Sequence, residues 1–295
     1  MAHFLQKSGP EYFSYDVKIT VSNDHGDTWT TPRILHSDGT KTEHGFVSLL
    51  PLAKDRFFIT WLDGRNTSYS DEMDHGAMTL RGAFIDQKGE VIEEVELDPR
   101  VCDCCQTGAA ITSGGPVVVY RNRSAEEIRD ISIVRYVNGI WSNPQPIYSD
   151  NWKIAGCPVN GPKAAARDNQ LAIAWFSASN NQPKVQVVFS KDGGASFGDP
   201  IRVDDGHPLG RVDVVLHQTG SAMISWIENQ PENGPQINLV NVSADGRKEA
   251  SIPLVSTNSS RASGFPQIEL SNNQLLMAWT AIDSLSQVKT LKITL

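Results

Sequence analysis

Residues 171–175 read LAIAW, and the same kind of short apolar run ending in an aromatic residue returns four more times. It recurs as RFFITW ending at Trp61, PVVVY at Tyr120, AMISW at Trp226 and LLMAW at Trp279, at intervals of 59, 55, 51 and 53 residues. Each run is four to six residues long and bounded by Gly, Asn, Ser or Asp, the pattern of a buried strand rather than a helix. Upstream of each lies a second strand-like segment: HGFVSLLPLA, CCQTGAAIT, CPVNGPKAAA, GRVDVVLHQ and GFPQIELS. Downstream come a third and usually a fourth, as in KVQVVFSKDGG followed by DPIRVDD. Four short antiparallel strands repeated about every 50 residues predict an all-β propeller, each blade burying its faces against its neighbours. No stretch shows sustained helical amphipathicity.

The ends count differently from the middle. The last unit has three strands, GFPQIELS, QLLMAW and VKTLKITL, and the N-terminus supplies YDVKITVS and TWTTPRILHS as third and outer strands. Stepping back 57 residues from Trp61 lands on Phe4 in AHFLQ, so the first unit begins inside its second strand. The expectation is one domain over residues 1–295, a six-bladed propeller whose first blade is incomplete at the N-terminus, in a chain that is an N-terminally truncated piece of a longer protein. A five-bladed ring with irregular closure is the alternative.

Composition narrows the function classes. A formal net charge of −8 offers no basic field for a phosphate backbone, so nucleic acid is set aside as a partner. No run of about 18 apolar residues predicts a membrane span. MAHFLQKSGPEYF lacks the charged and apolar regions of an export signal.

Two turns are more specific than the repeat. SNDHGDTW, with Ser22, Asp24, Gly26 and Trp29, and SKDGGASF, with Ser190, Asp192, Gly194 and Phe197, both fit S-x-D-x-G-x-[ST]-[WF]. They resemble the Asp box, the bacterial neuraminidase repeat. In such a turn the Asp accepts backbone N–H bonds, Gly supplies positive φ and the aromatic plugs between strands. The two aspartates lie 168 residues apart, near three blade periods, and SADG at Ser243–Gly246 reads as a worn third copy. Together with EHGFVSLLP, WLDGR, CDCCQT, GCPVNGP, GRVDV and SGFP, these motifs make most of the chain similar to bacterial Asp-box proteins of the exo-α-sialidase, or sialidase-like, group. The resemblance implies a glycoside hydrolase or carbohydrate-binding propeller, exported to the periplasm or secreted, with a carbohydrate or small anionic ligand.

In a propeller the loops entering the innermost strands and leaving the second strands form the ligand face. Entering are Glu43 and His44, Cys104 to Gln106, Cys157 with Asn160, Arg211 with Asp213, and Arg261. Leaving are Asp63 and Arg65, Arg121 and Arg123, and Glu228, while His75, Arg81, Arg129 and Asp130 come from connections. This predicts an arginine-rich pocket for an anion, because guanidinium forks grip carboxylates in bidentate fashion; Arg–Asp pairs that merely tie loops are the alternative for any one of them. Sialidases hold the sugar carboxylate with three arginines and use a Tyr nucleophile assisted by Glu, with an Asp as acid/base. The resemblance implies Arg211 and Arg261 as two of the arginines. No tyrosine follows Tyr148, and the strand that would carry the first arginine is missing. Asp63, Asp213 and Glu228 remain as catalytic carboxylates.

VCDCCQTG holds Cys102, Cys104 and Cys105, and Cys157 opens the next unit, so the motif and Cys157 should meet. Three readings stay open. They are a disulfide to Cys157, a Cu or Zn thiolate site with His44 as an extra ligand, and buried free thiols.

Overall fold

The computed structural model describes residues 1–53, 55–67, 76–282 and 284–295. It is built almost wholly of strands, and the two three-residue 3-10 turns, Ser179–Asn181 and Arg261–Ser263, are the only helical segments among the described residues. Six antiparallel sheets follow one another along the chain. The first is β1 (Ala2–Lys7), β2 (Tyr15–Thr20) and β3 (Arg33–Ile34). The second is β4 (His44–Leu52), β5 (Arg56–Asp63), β6 (Thr79–Asp86) and β7 (Val91–Asp98). The third holds β8 (Gly108–Thr112), β9 (Gly115–Arg121), β10 (Ile131–Val137), β11 (Ile140–Trp141) and β12 (Gln145–Pro146). The fourth is β13 (Lys163–Arg167), β14 (Gln170–Ser177), β15 (Lys184–Ser190) and β16 (Ile201–Arg202). The fifth is β17 (Pro208–Leu216), β18 (Ala222–Gln230), β19 (Gly234–Val242) and β20 (Ile252–Ser256), and the sixth is β21 (Gln267–Ser271), β22 (Gln274–Ile282) and β23 (Ser286–Thr294).

The apolar runs become the second strands, and their alternation explains why they read as continuous. Along β14, Leu171, Ile173 and Trp175 pack towards the third sheet while Ala172, Ala174 and Phe176 pack towards the fifth. A strand buried on both faces has no polar face to show. The same division holds on β5, where Ile59 and Trp61 meet the first sheet and Phe58 and Leu62 the third. All five hydrophobic clusters are shared by two consecutive sheets. Each fully buried side chain of this size contributes roughly 1.5–3 kcal/mol. The sheets therefore hold one another, not a common centre.

The centre is open. The leading strands β4, β8, β13, β17 and β21 line one cavity of about 620 Å³, with Lys163, Asp213, Gln267 and Glu269 among its walls. The first sheet contributes nothing to that lining; its β1 pairs with β2 and lies beside β4.

The two S-x-D-x-G turns occupy the same place, β2 to β3 and β15 to β16, with one bonding pattern. Ser22 Oγ donates to Asp24 and accepts from Gly26 N, and Thr28 N donates to Asp24 at 2.9 Å. Ser190, Asp192, Gly194 and Ser196 repeat each bond. These donors hold both aspartates at about 2, chiefly through Thr28 and Ser196. The aromatics differ. Phe197 packs on the cluster between the third and fourth sheets, whereas Trp29 is 49% exposed and does not plug between strands; its indole N–H instead closes the turn on the Gly26 carbonyl at 3.0 Å. Ser243–Gly246 turns between β19 and β20, where Ser243 Oγ donates to Asp245.

Candidate functional site

A buried indole N–H or phenol O–H needs an acceptor, and the four buried aromatics of the repeat find carboxylates. Trp61 donates to Asp63 at 2.7 Å, Trp226 to Glu228 at 2.6 Å, Trp175 to Asp150 at 2.7 Å, and Tyr120 to Asp98 at 2.5 Å. Asp63 also accepts the Arg65 fork at 2.8 and 2.7 Å. Burial pushes its carboxyl up, but the bonds from Arg65 and Trp61 hold it below the usual carboxylate range. Glu228 accepts the His207 N–H at 2.5 Å and the Asp205 N–H at 3.3 Å, which fastens that loop. Asp213 accepts the N–H groups of Val214 at 2.9 Å and Ile268 at 2.7 Å, tying β17 to β21 at the cavity wall, and burial raises its pKa. The three carboxylates singled out from the sequence thus sit in three separate settings.

Asp63 belongs to a charged cluster at the entrance of the second sheet. His44 Nε2 lies 3.2 Å from Asp38 and 3.6 Å from Asp63, and its Nδ1 is 3.0 Å from the Tyr15 carbonyl. Arg65 also reaches Glu94 at 2.9 Å, and Arg81 bonds Glu94 at 2.8 Å and Glu96 at 3.0 Å. His36 stacks on His44 with ring centroids 3.6 Å apart. The ring nitrogens of His44 face Asp38, Asp63 and Tyr15, and the cysteine cluster is separate from it.

A second group closes the joint between the third and fourth sheets. Arg121 is wholly buried, donates to the carbonyls of Asn160, Arg129 and Phe176 at 2.6–3.0 Å, and lies over the Trp152 ring. Asp130 accepts the N–H groups of Asn151 and Trp152, and burial raises its pKa. Cys104 and Cys157 form a disulfide, in the loops that precede β8 and β13. Cys102 and Cys105 are free and buried, with their sulfurs 3.5 Å apart and the Arg129 guanidinium 3.2 Å from Cys102. The contact with Cys105 and the nearby Arg129 lower the Cys102 pKa against its burial, while burial pushes Cys105 up. A sulfur in a disulfide is no thiolate, so two thiols remain where the sequence offered up to four ligands. Arg123 pairs with Asp103 and Glu127 over an adjacent cleft of about 430 Å³.

The third group is different in kind. β17 bulges at Gly210, where φ is +83° and an added Cβ would stand 2.2 Å from Asn160 Oδ1, so only glycine fits. The next residue, Arg211, has φ of 56°, and the bulge turns its side chain out of the ladder. Its guanidinium donates to Ser263 Oγ at 2.6 Å and the Ser259 carbonyl at 2.8 Å, near the Phe265 ring. Asn160 Oδ1 accepts the Arg211 N–H at 2.7 Å. Arg211 and Arg261 line one cleft of about 160 Å³ with Asn160 and Phe265, and no carboxylate is among its walls as far as the described residues form them. Burial and the charge of Arg261 both lower the Arg211 pKa, the mark of two cations facing one space.

The structure thus brings Arg211, Arg261 and Asn160 together, groups Asp63, Arg65, Arg81 and His44 elsewhere, and places Arg121, Arg129, Asp130 and the cysteines at a third joint. His75 lies outside the described residues. Asp16, His36 and Asp38 were missed by the sequence reading because they come from the first sheet and its exit, where the repeat is broken; HSD at 36–38 followed by His44 is the signal that could have found them.

No protein-family profile matches the chain, and no curated protein matches it. Solved structures do. A protein of unknown function from Dyadobacter fermentans superposes with a TM-score of 0.58 at 12% identity, over 85% of this chain and 79% of its own. The NanB sialidase from Streptococcus pneumoniae gives 0.59 at 11%, over 99% of this chain and 65% of the sialidase. A polysaccharide lyase, an ulvan lyase bound to -[GlcA(1-4)Rha3S]-, gives 0.56 at 12%, over 98% and 80%. The fold is therefore like that of sialidases and other glycan-active propellers, and the chain spans about two thirds of the sialidase. No helix among the described residues is long and apolar enough to cross a membrane.

Proposed function

We propose that the six sheets are the blades of a six-bladed, sialidase-like propeller that binds a carboxylated glycan, with Arg211 and Arg261 gripping the carboxylate. The observation that carries this reading is the pair of guanidinium groups lining one cleft without an acidic partner. Arg211 donates to the Ser263 hydroxyl and the Ser259 carbonyl, but among the described residues neither it nor Arg261 pairs with a carboxylate, so the balancing anion is one from outside. Guanidinium forks suit a planar carboxylate, and Phe265 offers an apolar face beside it. The cleft, about 160 Å³, has room for a carboxylate and part of one sugar ring.

Binding without hydrolysis is the form of this function that the cleft supports. Among the described residues its walls hold neither a tyrosine nor a carboxylate, while Asp63, Asp213 and Glu228 are engaged by backbone, indole or guanidinium donors. Titration calorimetry with N-acetylneuraminate, glucuronate and their neutral counterparts tests it. The expected result is saturable binding of the acids alone, lowered at least tenfold in Arg211→Ala. Equal binding of neutral sugars, or of the acids by that variant, removes the reading. Turnover of a fluorogenic sialoside would replace it with a hydrolase.

A further inference from the structure

Two histidines at the joint between the first and second sheets are arranged as ligands with nothing to ligate. His36 and His44 have side chains 2% and 0% exposed, stacked in parallel within 8°. Each uses its Nδ1 on an acceptor: His36 on Asp38 Oδ2 at 2.6 Å, His44 on the Tyr15 carbonyl at 3.0 Å. A carboxylate and a carbonyl accept only, so both Nδ1 atoms carry a proton, and in the neutral rings both Nε2 atoms present lone pairs. Those two Nε2 atoms are buried and have no hydrogen-bond partner. His36 Nε2 stands 3.7 Å from Asp16 Oδ1, and one ligand atom from each of Asp16, His36 and His44 falls within 4.8 Å of the others.

We infer that Asp16, His36 and His44 form a three-ligand site for a divalent first-row metal ion, with zinc as its reference ion. A lone pair facing a carboxylate oxygen at 3.7 Å is too far for a hydrogen bond, but it is close to the ligand–ligand edge of a tetrahedral zinc site, about 3.4 Å for bonds of about 2.1 Å. The outer contacts are those that metal-bound histidines make. Asp38 and the Tyr15 carbonyl fix the tautomer and aim the rings. Charge points the same way. Asp16, Asp38 and Asp63 face the rings at 2.6–3.7 Å, and Arg65 is the one guanidinium in contact with Asp38 and Asp63. A divalent cation supplies what neutral imidazoles leave unbalanced. Two nitrogens and a carboxylate suit Zn, Fe or Ni better than Mg or Ca. Three protein ligands leave a fourth position for water or substrate.

Because Cys102 and Cys105 could also take zinc, the experiment uses the full chain carrying Cys102→Ser and Cys105→Ser. Equilibrium dialysis against zinc, read by elemental analysis, is expected to give one ion per chain. His36→Ala, His44→Ala and Asp16→Asn should each weaken it at least tenfold, Asp38→Asn should weaken it about 10–100-fold as an outer-shell change, and the exposed His217→Ala should not. A variant that fails to fold does not leave the matter open. In the thiol-free protein with every histidine intact, zinc should shift the nitrogen resonances of two histidines at one equivalent. Absence of a bound ion, affinity unchanged in both histidine variants, or histidine signals unmoved by zinc would overturn the site. The last result, with both rings titrating as imidazolium, would make the pair a protonated stack.

Discussion

The entrances of the second and fifth sheets share a backbone device and put it to different use. In each, a leading strand bulges at a glycine and the next residue adopts positive φ: Gly45 then Phe46 in β4, Gly210 then Arg211 in β17. In each, the second strand ends in a Trp whose indole N–H is held by a carboxylate two residues on, Trp61 with Asp63 and Trp226 with Glu228. The residue at the bulge differs. Phe46 packs against the core between the second and third sheets, beside the charged cluster around His44. Arg211 faces a cleft shared with Arg261. The carboxylate after the Trp is thus part of the frame in both places, and the bulge residue decides whether an entrance presents a guanidinium to an anionic ligand.

The largest effects are expected where that shared frame is cut. Asp63→Ala strands the buried Trp61 indole and leaves Arg65 with Glu94 as its bonded carboxylate, and should cost about 3–5 kcal/mol. Glu228→Ala strands the indole of Trp226 and two backbone N–H groups and should cost about 2–4 kcal/mol. Urea unfolding measures both. A variant that keeps its stability while losing a measured turnover would make its carboxylate a chemical group and end the equivalence drawn above.

Between the two entrances lies the Cys104–Cys157 disulfide, spanning 53 residues. On loop-closure grounds its loss is worth roughly 4 kcal/mol at most, and about 2–4 kcal/mol is expected for Cys104→Ser in denaturant melts. This pairing was partly legible in the sequence, because neighbouring leading strands had to bring Cys157 to the motif. What was not legible was which cysteine would pair. Cys102 and Cys105 also form a C-x-x-C spacing, and only the burial of their side chains separates them from Cys104. The Trp-x-acid spacing was readable too, yet a charged residue in a string does not reveal its donors; Asp63 and Glu228 looked like free acids until the indoles were seen to point at them. The repeat itself was plain, since strands buried on both faces write an unbroken apolar run. The histidine cluster was hidden because half of it comes from the one sheet with no strand at the cavity.

The second sheet's entrance carries a pH dependence that can be read at one glutamate. Burial, with Asp103 nearby, raises Glu43 to about 7 from 4.5. The native state then binds its proton more tightly than the unfolded chain, so this group's contribution is intact below about pH 4.5 and is lost as pH rises through 7. Glu43→Gln should melt with the parent protein at pH 4.5 and be more stable at pH 8, by roughly 2 kcal/mol once partial exposure is discounted. A constant difference across that range would mean that the glutamate is solvated in both states.

The smallest effect on stability, and the most informative about the cleft, is expected at Asn160. Its carbonyl accepts two bonds from the buried Arg121, and its side-chain Oδ1 accepts the Arg211 N–H, so one residue joins the closed frame to the open cleft. Asn160→Asp keeps that acceptor and gives up only the 3.3 Å bonds from Nδ2 to Pro158 and Leu209. Stability should change by no more than about 1 kcal/mol. The new carboxylate, however, stands at the wall that Arg211 and Arg261 line, and it supplies internally the anion they lack. Acid binding by calorimetry should therefore fall at least tenfold while the urea midpoint barely moves. If binding survives, the two guanidinium groups do not act on one ligand. The fifth sheet's entrance would then be closed after all, by backbone carbonyls where the second uses charge.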